Sequence, residues 1–81
     1  METISVSVDQ IYVPAKMRRS VDETRVETVA ESFIENGRMT PIRVRRDGAR
    51  LVLVNGVHRL EACRALGEET ITAFVVQAVK H

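Results

Sequence analysis

The chain has no tryptophan, one cysteine and two prolines in 81 residues. A lone thiol, Cys63, closes no disulfide within the chain and offers no cysteine-based metal spacing. Histidine is nearly as scarce, with His58 and the terminal His81, so a histidine-built metal site is not expected. No run approaches the ~18 apolar residues of a membrane-spanning helix. The N-terminus lacks the basic-then-apolar order of a secretory signal. A cytoplasmic location without membrane association is the expectation. The aromatics are Tyr12, Phe33 and Phe74, so the core is drawn mainly from Val, Ile, Leu and Ala. Internal repeats and low-complexity linkers are absent.

What is present reads as a globular chain, 44% hydrophobic and 28% charged, with room for a single domain over residues 1–81. A domain of this size buries only roughly 60–65% of its extended surface, so a second copy would add stability and a homodimer is expected. The net charge of +1 decides little, but its distribution is uneven. Arg38, Arg43, Arg45, Arg46 and Arg50 are opposed only by Asp47, whereas the segment Asp22–Glu35 holds five acids and one arginine. A basic end of this kind either attracts phosphate or nucleic acid or is a solvated hairpin kept soluble by its arginines.

Ile4, Val6 and Val8 alternate with Ser5 and Ser7, which predicts a short strand with one buried face. Asp9 to Pro14 is read as a turn and Lys16-Met17-Arg18-Arg19 as a basic loop. Ser20 and Glu23 have capping-box spacing, with Asp22 a rival cap. Val26, Val29, Ala30, Phe33 and Ile34 then recur at helical spacing, opposite Glu27, Glu31 and Glu35. Asn36-Gly37 stops this helix, placed at about 22–36, and its apolar face is expected to cover a sheet. The glutamates form a solvated face, within reach of a magnesium ion carried by a nucleotide.

Pro41 begins the next strand, with Ile42 and Val44 on one face and Arg43 and Arg45 on the other. Asp47-Gly48 signals a hairpin, and Leu51 to Val54 returns. With a two-residue turn Arg45 faces Arg50, a destabilising pair unless solvent or a bound anion separates the charges. Gly56 breaks this strand and opens a helix over roughly 57–66, in which Glu61 and Arg64 pair at i,i+3. Gly67 ends it, and Ile71 to Val76 is the last strand. The order is β-α-β-β-α-β, an α+β class.

The junction at Gly56 is where chemistry is expected. A helix that opens directly from a strand leaves backbone N–H groups free and carries a favourable dipole for an anion. Gly56 removes a Cβ that would hold the anion away, and His58 and Arg59 sit in the first turn. Arg59 falls on the apolar side of its helix, where an unpaired guanidinium is costly. It either snorkels past Leu60, pairs with Asp9, Asp22 or a backbone carbonyl, or awaits a phosphate. His58 either donates to a phosphate, acts as catalytic acid or base, caps the helix or packs as a neutral ring. Asn55 caps the helix, turns the chain or contacts a ligand, and Cys63 reads as a small core residue.

The run VNGVHRLEACRALG followed by EETITAFVV resembles the ParB/sulfiredoxin superfamily, in particular the N-terminal domain of ParB-type partition proteins. Val13-Pro14 and Arg18 match its early proline-and-arginine box. Asp22 to Gly37 is similar to its first helix, with Ala30-Glu31-Ser32 and Asn36-Gly37, and Pro41-Ile42 with Val44-Arg45 to the strand that follows. Gly56, Arg59 and Ala62 match the motif Gly-Glu-Arg-Arg-x-x-Ala, closed by Leu66-Gly67. The fold so implied is a small single α+β domain, a mixed sheet with two covering helices.

The resemblance also implies a nucleotide site. ParB-type members bind CTP with magnesium nearby, and some hydrolyse it and close as clamps on DNA. Carried over, Gly56, His58 and Arg59 sit on the phosphates, Arg18 joins from the preceding loop, and Thr40, where many members have glutamine, lines the cleft. No tightly bound cofactor is expected beyond a nucleoside triphosphate with magnesium. The chain departs from the motif at Val57, which replaces glutamate, and at His58, which replaces arginine. Sulfiredoxin carries Gly-Cys-His-Arg, and without that cysteine sulfinic-acid reduction is excluded. Free-serine kinases carry Asp-Gly-His-His-Arg, and Asn55 cannot serve as their carboxylate base. Full partition proteins continue into DNA-binding and dimerisation domains for which this chain has no room. Met1 favours a stand-alone chain.

Three functions stand: a nucleotide- or phosphate-binding domain, regulatory and DNA-associated; a phosphoryl-transfer or phosphodiester-hydrolysing enzyme with His58 as acid or base; or a non-catalytic DNA or protein module contacting its partner through Arg43, Arg45, Arg46 and Arg50.

Overall fold

The computed structural model describes residues 3–77; Met1 and His81 lie outside them. Strand β1 (Thr3–Ser7) is followed by a 3₁₀ turn at Val8–Gln10, β2 (Ile11–Tyr12), α1 (Ala15–Arg19) and α2 (Glu23–Asn36). Then come β3 (Ile42–Asp47), β4 (Arg50–Asn55), α3 (Val57–Ala65) and β5 (Thr70–Val76). The five strands form one mixed sheet in the order β1-β5-β3-β4-β2. β1/β5 and β3/β4 are antiparallel, while β3/β5 and β2/β4 are parallel. Among the described residues no helix is long and apolar enough to cross a membrane.

The alternation read from the sequence sorts the faces. Val6, Ile71, Ala73, Ile42, Val44 and Leu53 turn to one side, where they meet Val57, Leu60 and Cys63 of α3. Ile42, Val44, Leu60 and Ala73 have no exposed surface at all. Helix α3 therefore lies on the sheet. Helix α2 does not reach it in the same way: its main neighbour is α3, and Val26 is its one fully buried residue. The expectation that the apolar face of α2 covers strands is corrected accordingly. The nine-residue α3 packs on the sheet and α2 is laid against α3, which leaves Ile34 of α2 69% exposed.

Two local readings also change. The segment read as a turn contains β2, whose Ile11 and Tyr12 pair with Leu51 and Val52. The segment read as a basic loop is one helical turn, α1. Pro14 presets its entry at φ −56, a value proline's ring favours, and the Arg18 N–H donates to the Pro14 carbonyl at 3.0 Å. The Ser20 hydroxyl donates to the Met17 carbonyl at 2.7 Å, so Ser20 closes α1. Asp22 is the cap of α2, its carboxylate accepting the Thr24 N–H at 2.9 Å.

The β3–β4 hairpin turns through Gly48 and Ala49 and pairs Asp47 with Arg50. Arg45 lies opposite Val52, so the expected Arg45–Arg50 clash does not arise. Instead Arg50 donates to Asp47 at 3.0 Å. A β-bulge interrupts the far end: Val44 pairs with Leu53 but Arg43 with Asn55, leaving Val54 unpaired. Such a bulge bends the strand, here immediately before Gly56.

Candidate phosphate-binding site at the head of helix α3

Helix α3 begins at Gly56, with φ 109 and ψ 30. This left-handed backbone is open to glycine and strained for other residues. A Cβ here would stand 2.7 Å from Ile42 Cγ2. The glycine is thus required by close packing of the junction on β3, a cause the sequence does not show. The first α3 bond is Leu60 N–H to the Gly56 carbonyl at 2.9 Å, so the N–H groups of Val57, His58 and Arg59 head the helix without intrahelical acceptors.

These groups border a cavity of about 620 Å³ between α2 and the β4–α3 junction. That volume is within the ~300–1,000 Å³ of small-molecule sites. Arg25, His58 and Arg59 line it together with Thr28. Met17, Val29 and Val54 supply apolar wall. Arg25, Thr28 and Met17 are not among the residues singled out from the sequence. A signal existed for Arg25, the only basic residue in the acidic segment Asp22–Glu35; only the lean of α2 onto α3 brings it to the junction.

Arg59 is half-buried, and its Nη1 donates to the carbonyls of Pro41 at 2.8 Å and Thr40 at 3.2 Å. Of the alternatives open for this inward guanidinium, pairing with backbone carbonyls is the one realised. Two bonds leave it three of its five N–H donors. Burial lowers its pKa from the ordinary value, and the neighbouring Arg43 charge lowers it further; both are tensions that an anion would relieve. His58 Nε2 accepts the backbone N–H of Asp22 at 3.1 Å. His58 thereby joins the head of α3 to the start of α2, with Nε2 occupied as acceptor and Nδ1 left as the ring's donor position.

The remaining sequence candidates are dispersed. Thr40 lines an adjoining cavity of about 670 Å³ that shares Thr28, Val29 and Arg59 with the first. Arg18 is not brought to the junction: it donates to the Val13 carbonyl at 3.4 Å and lines a separate cleft with Glu61 and Arg64. The turn of α1 directs Met17, and not Arg18, to the cavity. Strand alternation sets Arg43 and Arg45 opposite to the buried Ile42 and Val44, with Arg43 still near enough to Arg59 to lower its pKa, and Arg50 is engaged by Asp47. Cys63 is buried beside Met39, with Sγ 3.9 Å from its sulfur. Burial and then Glu68 push its pKa up, the reverse of nucleophilic activation. The Arg64–Glu61 pair forms at 3.3 Å.

A magnesium ion does not fit as a protein-held group, since none of the eleven residues lining the first cavity carries a carboxylate. Among the described residues no group of three or more His, Cys, Asp or Glu side chains is arranged to hold a metal.

A five-stranded mixed sheet, a glycine-led strand-to-helix junction and a second helix laid over it define a small α+β domain of the ParB/sulfiredoxin type. Residues 1–81 match the ParB N-terminal domain, and the chain belongs to that family. It is 32% identical over 75 residues to a probable chromosome-partitioning protein ParB of Campylobacter jejuni, covering 91% of this chain and 27% of that protein. The chain thus spans about a quarter of that relative's length. Sulfiredoxin from Arabidopsis thaliana superposes with a TM-score of 0.84 at 26% identity, over 96% of this chain and 88% of that one. The C-terminally truncated ParB of Caulobacter crescentus, solved with CTP-gamma-S, gives 0.79 at 23% identity, over 99% and 47%.

Proposed function

We propose that the chain binds a nucleotide, or another phosphate anion, at the head of α3. The observation that carries this reading is the convergence of Arg25, His58, Arg59 and the unpaired first-turn N–H groups on one cavity with an otherwise largely apolar wall. Phosphate oxygens would take the N–H groups and the guanidinium donors, favoured by the helix dipole. His58 Nδ1 would add a donor. The wall of Met17, Val29 and Val54 would take the less polar remainder of the ligand. The CTP-gamma-S bound to the Caulobacter ParB supports a nucleoside triphosphate as the ligand class. Within a longer protein of this family, such a site would serve a regulatory, DNA-associated role in the cytoplasm. Phosphoryl transfer with His58 Nε2 as base would first require that nitrogen to release Asp22.

Calorimetric titration with CTP, ATP and inorganic phosphate, with and without magnesium, tests the proposal. Saturable binding is expected. Arg25→Gln should weaken it by about tenfold or more, the effect of one charge-assisted hydrogen bond, with an unchanged unfolding midpoint. Failure of a folded chain to bind any of the three, or binding indifferent to Arg25→Gln, would overturn it.

A further inference from the structure

All three helices lie on one side of the sheet: α3 and α1 contribute to the core there, and α2 rests on α3. The opposite face is bare among the described residues. Strand register places Val76, Arg45, Val52 and Tyr12 in one row across it, with Phe74 and Arg43 in the next. Val52 is only 2% exposed although no helix covers it. Its cross-strand neighbours in the register are Arg45 and Tyr12.

Two independent features coincide on this face. One is a pair of rings: Phe74 is half-exposed, and Tyr12 is 44% exposed with the Arg50 guanidinium 4.4 Å from its centroid. The other is charge: Arg50 is steadied by Asp47, whereas no acid among the described residues pairs with Arg43 or Arg45. The glutamates of α2 belong to a helix that packs on α3, so the acid on the strands of the open face is Asp47, already engaged by Arg50, and an anion approaching that face meets mainly cations. An acidic protein would use the arginines but has no need of the rings. Duplex DNA would use the arginines but hides its base faces. A single strand uses both, phosphates on arginine and bases stacked on aromatic and guanidinium planes.

We propose that the open sheet face binds single-stranded nucleic acid, with phosphates on Arg43 and Arg45 and bases on Phe74 and the Tyr12–Arg50 stack. Apart from Arg43, whose charge is felt by Arg59, this surface shares no residue with the cavity at the head of α3.

Fluorescence anisotropy of a labelled oligothymidine, titrated with the chain at low salt, is the test. The single strand should bind more tightly than a duplex of equal length. Tyr12→Leu should weaken it by about fivefold or more, the contribution of one stacked base. Arg43→Gln with Arg45→Gln should weaken it and flatten the log-affinity against log-salt slope by about 1.4, from two lost phosphate contacts. If Tyr12→Leu disturbs the fold by circular dichroism, the arginine pair decides. Absence of binding at low salt, equal affinity for duplex, competition by polyglutamate as effective as by unlabelled strand, or self-association that excludes the oligonucleotide would each overturn the proposal.

Discussion

Replacing Gly56 by alanine sets a Cβ 2.7 Å from Ile42 Cγ2, 3.0 Å from Ile42 Cβ and 3.2 Å from Arg59 Nη2. The arginine end can swing away; Ile42, which has no exposed surface, cannot. Two costs combine. Left-handed φ in a residue with a Cβ costs about 1–2 kcal/mol, partly offset by the roughly 0.4–1 kcal/mol gained from a stiffer unfolded chain. Overpacking against Ile42 adds about 1–3 kcal/mol. Gly37→Ala is a reference without the packing cost, since nothing lies within 4 Å of an added Cβ there, and its φ of 73 makes its backbone cost the smaller of the two. Gly56→Ala should therefore be less stable than Gly37→Ala by about 1–3 kcal/mol, against a total of about 4–12 kcal/mol for a chain this long. Urea unfolding followed by circular dichroism measures both. Adding Ile42→Ala removes the 2.7 Å contact, so the double variant should lose less than the two single losses combined, with a coupling of about 1 kcal/mol or more. Equal losses for Gly56→Ala and Gly37→Ala, or strict additivity with Ile42→Ala, would refute the claim that close packing on β3 requires this glycine.

Asp22→Ala removes the acceptor of the Thr24 N–H and should cost about 1 kcal/mol in thermal unfolding, with Asp22→Asn nearly neutral. Cys63 should react with iodoacetamide far more slowly in the native chain than in denaturant. Its raised pKa also has a signed effect on stability. The native state holds the thiol proton more tightly than the unfolded chain, so the contribution is complete below the ordinary thiol pKa and lost as pH climbs through the raised one. Unfolding midpoints scanned into the alkaline range should fall for the native chain and fall less for Cys63→Ala.

Arg59 gains a second meaning from its two carbonyl bonds. It holds the loop at Thr40 and Pro41 against the head of α3 while lining both adjoining cavities. Loss of ligand binding in Arg59→Ala would therefore mix two causes. Arg25, which has no such duty in the described contacts, is the cleaner probe.

Much of this molecule is local and so legible in the sequence. Alternating Ile4 and Val6, the 3.6-residue recurrence from Val26 to Phe33, the stop at Asn36-Gly37 and the break at Gly56 each depend on residues a few positions apart. Backbone sterics and the need to bury one face are enough to place them. The Glu61–Arg64 pair and the inward direction of Arg59 follow from helical geometry alone. Which surfaces meet is another matter. The carbonyls that receive Arg59 lie 18 and 19 residues away, and the N–H that His58 accepts lies 36 away. Seating α2 on α3 brings Arg25 into the site, the turn of α1 sends Arg18 to another cleft, and β3 passing under the junction makes a side chain at Gly56 costly. Periodicity specifies that a face will be buried, while the partner that buries it is chosen by long-range strand order and by how much of the sheet α3 has already covered.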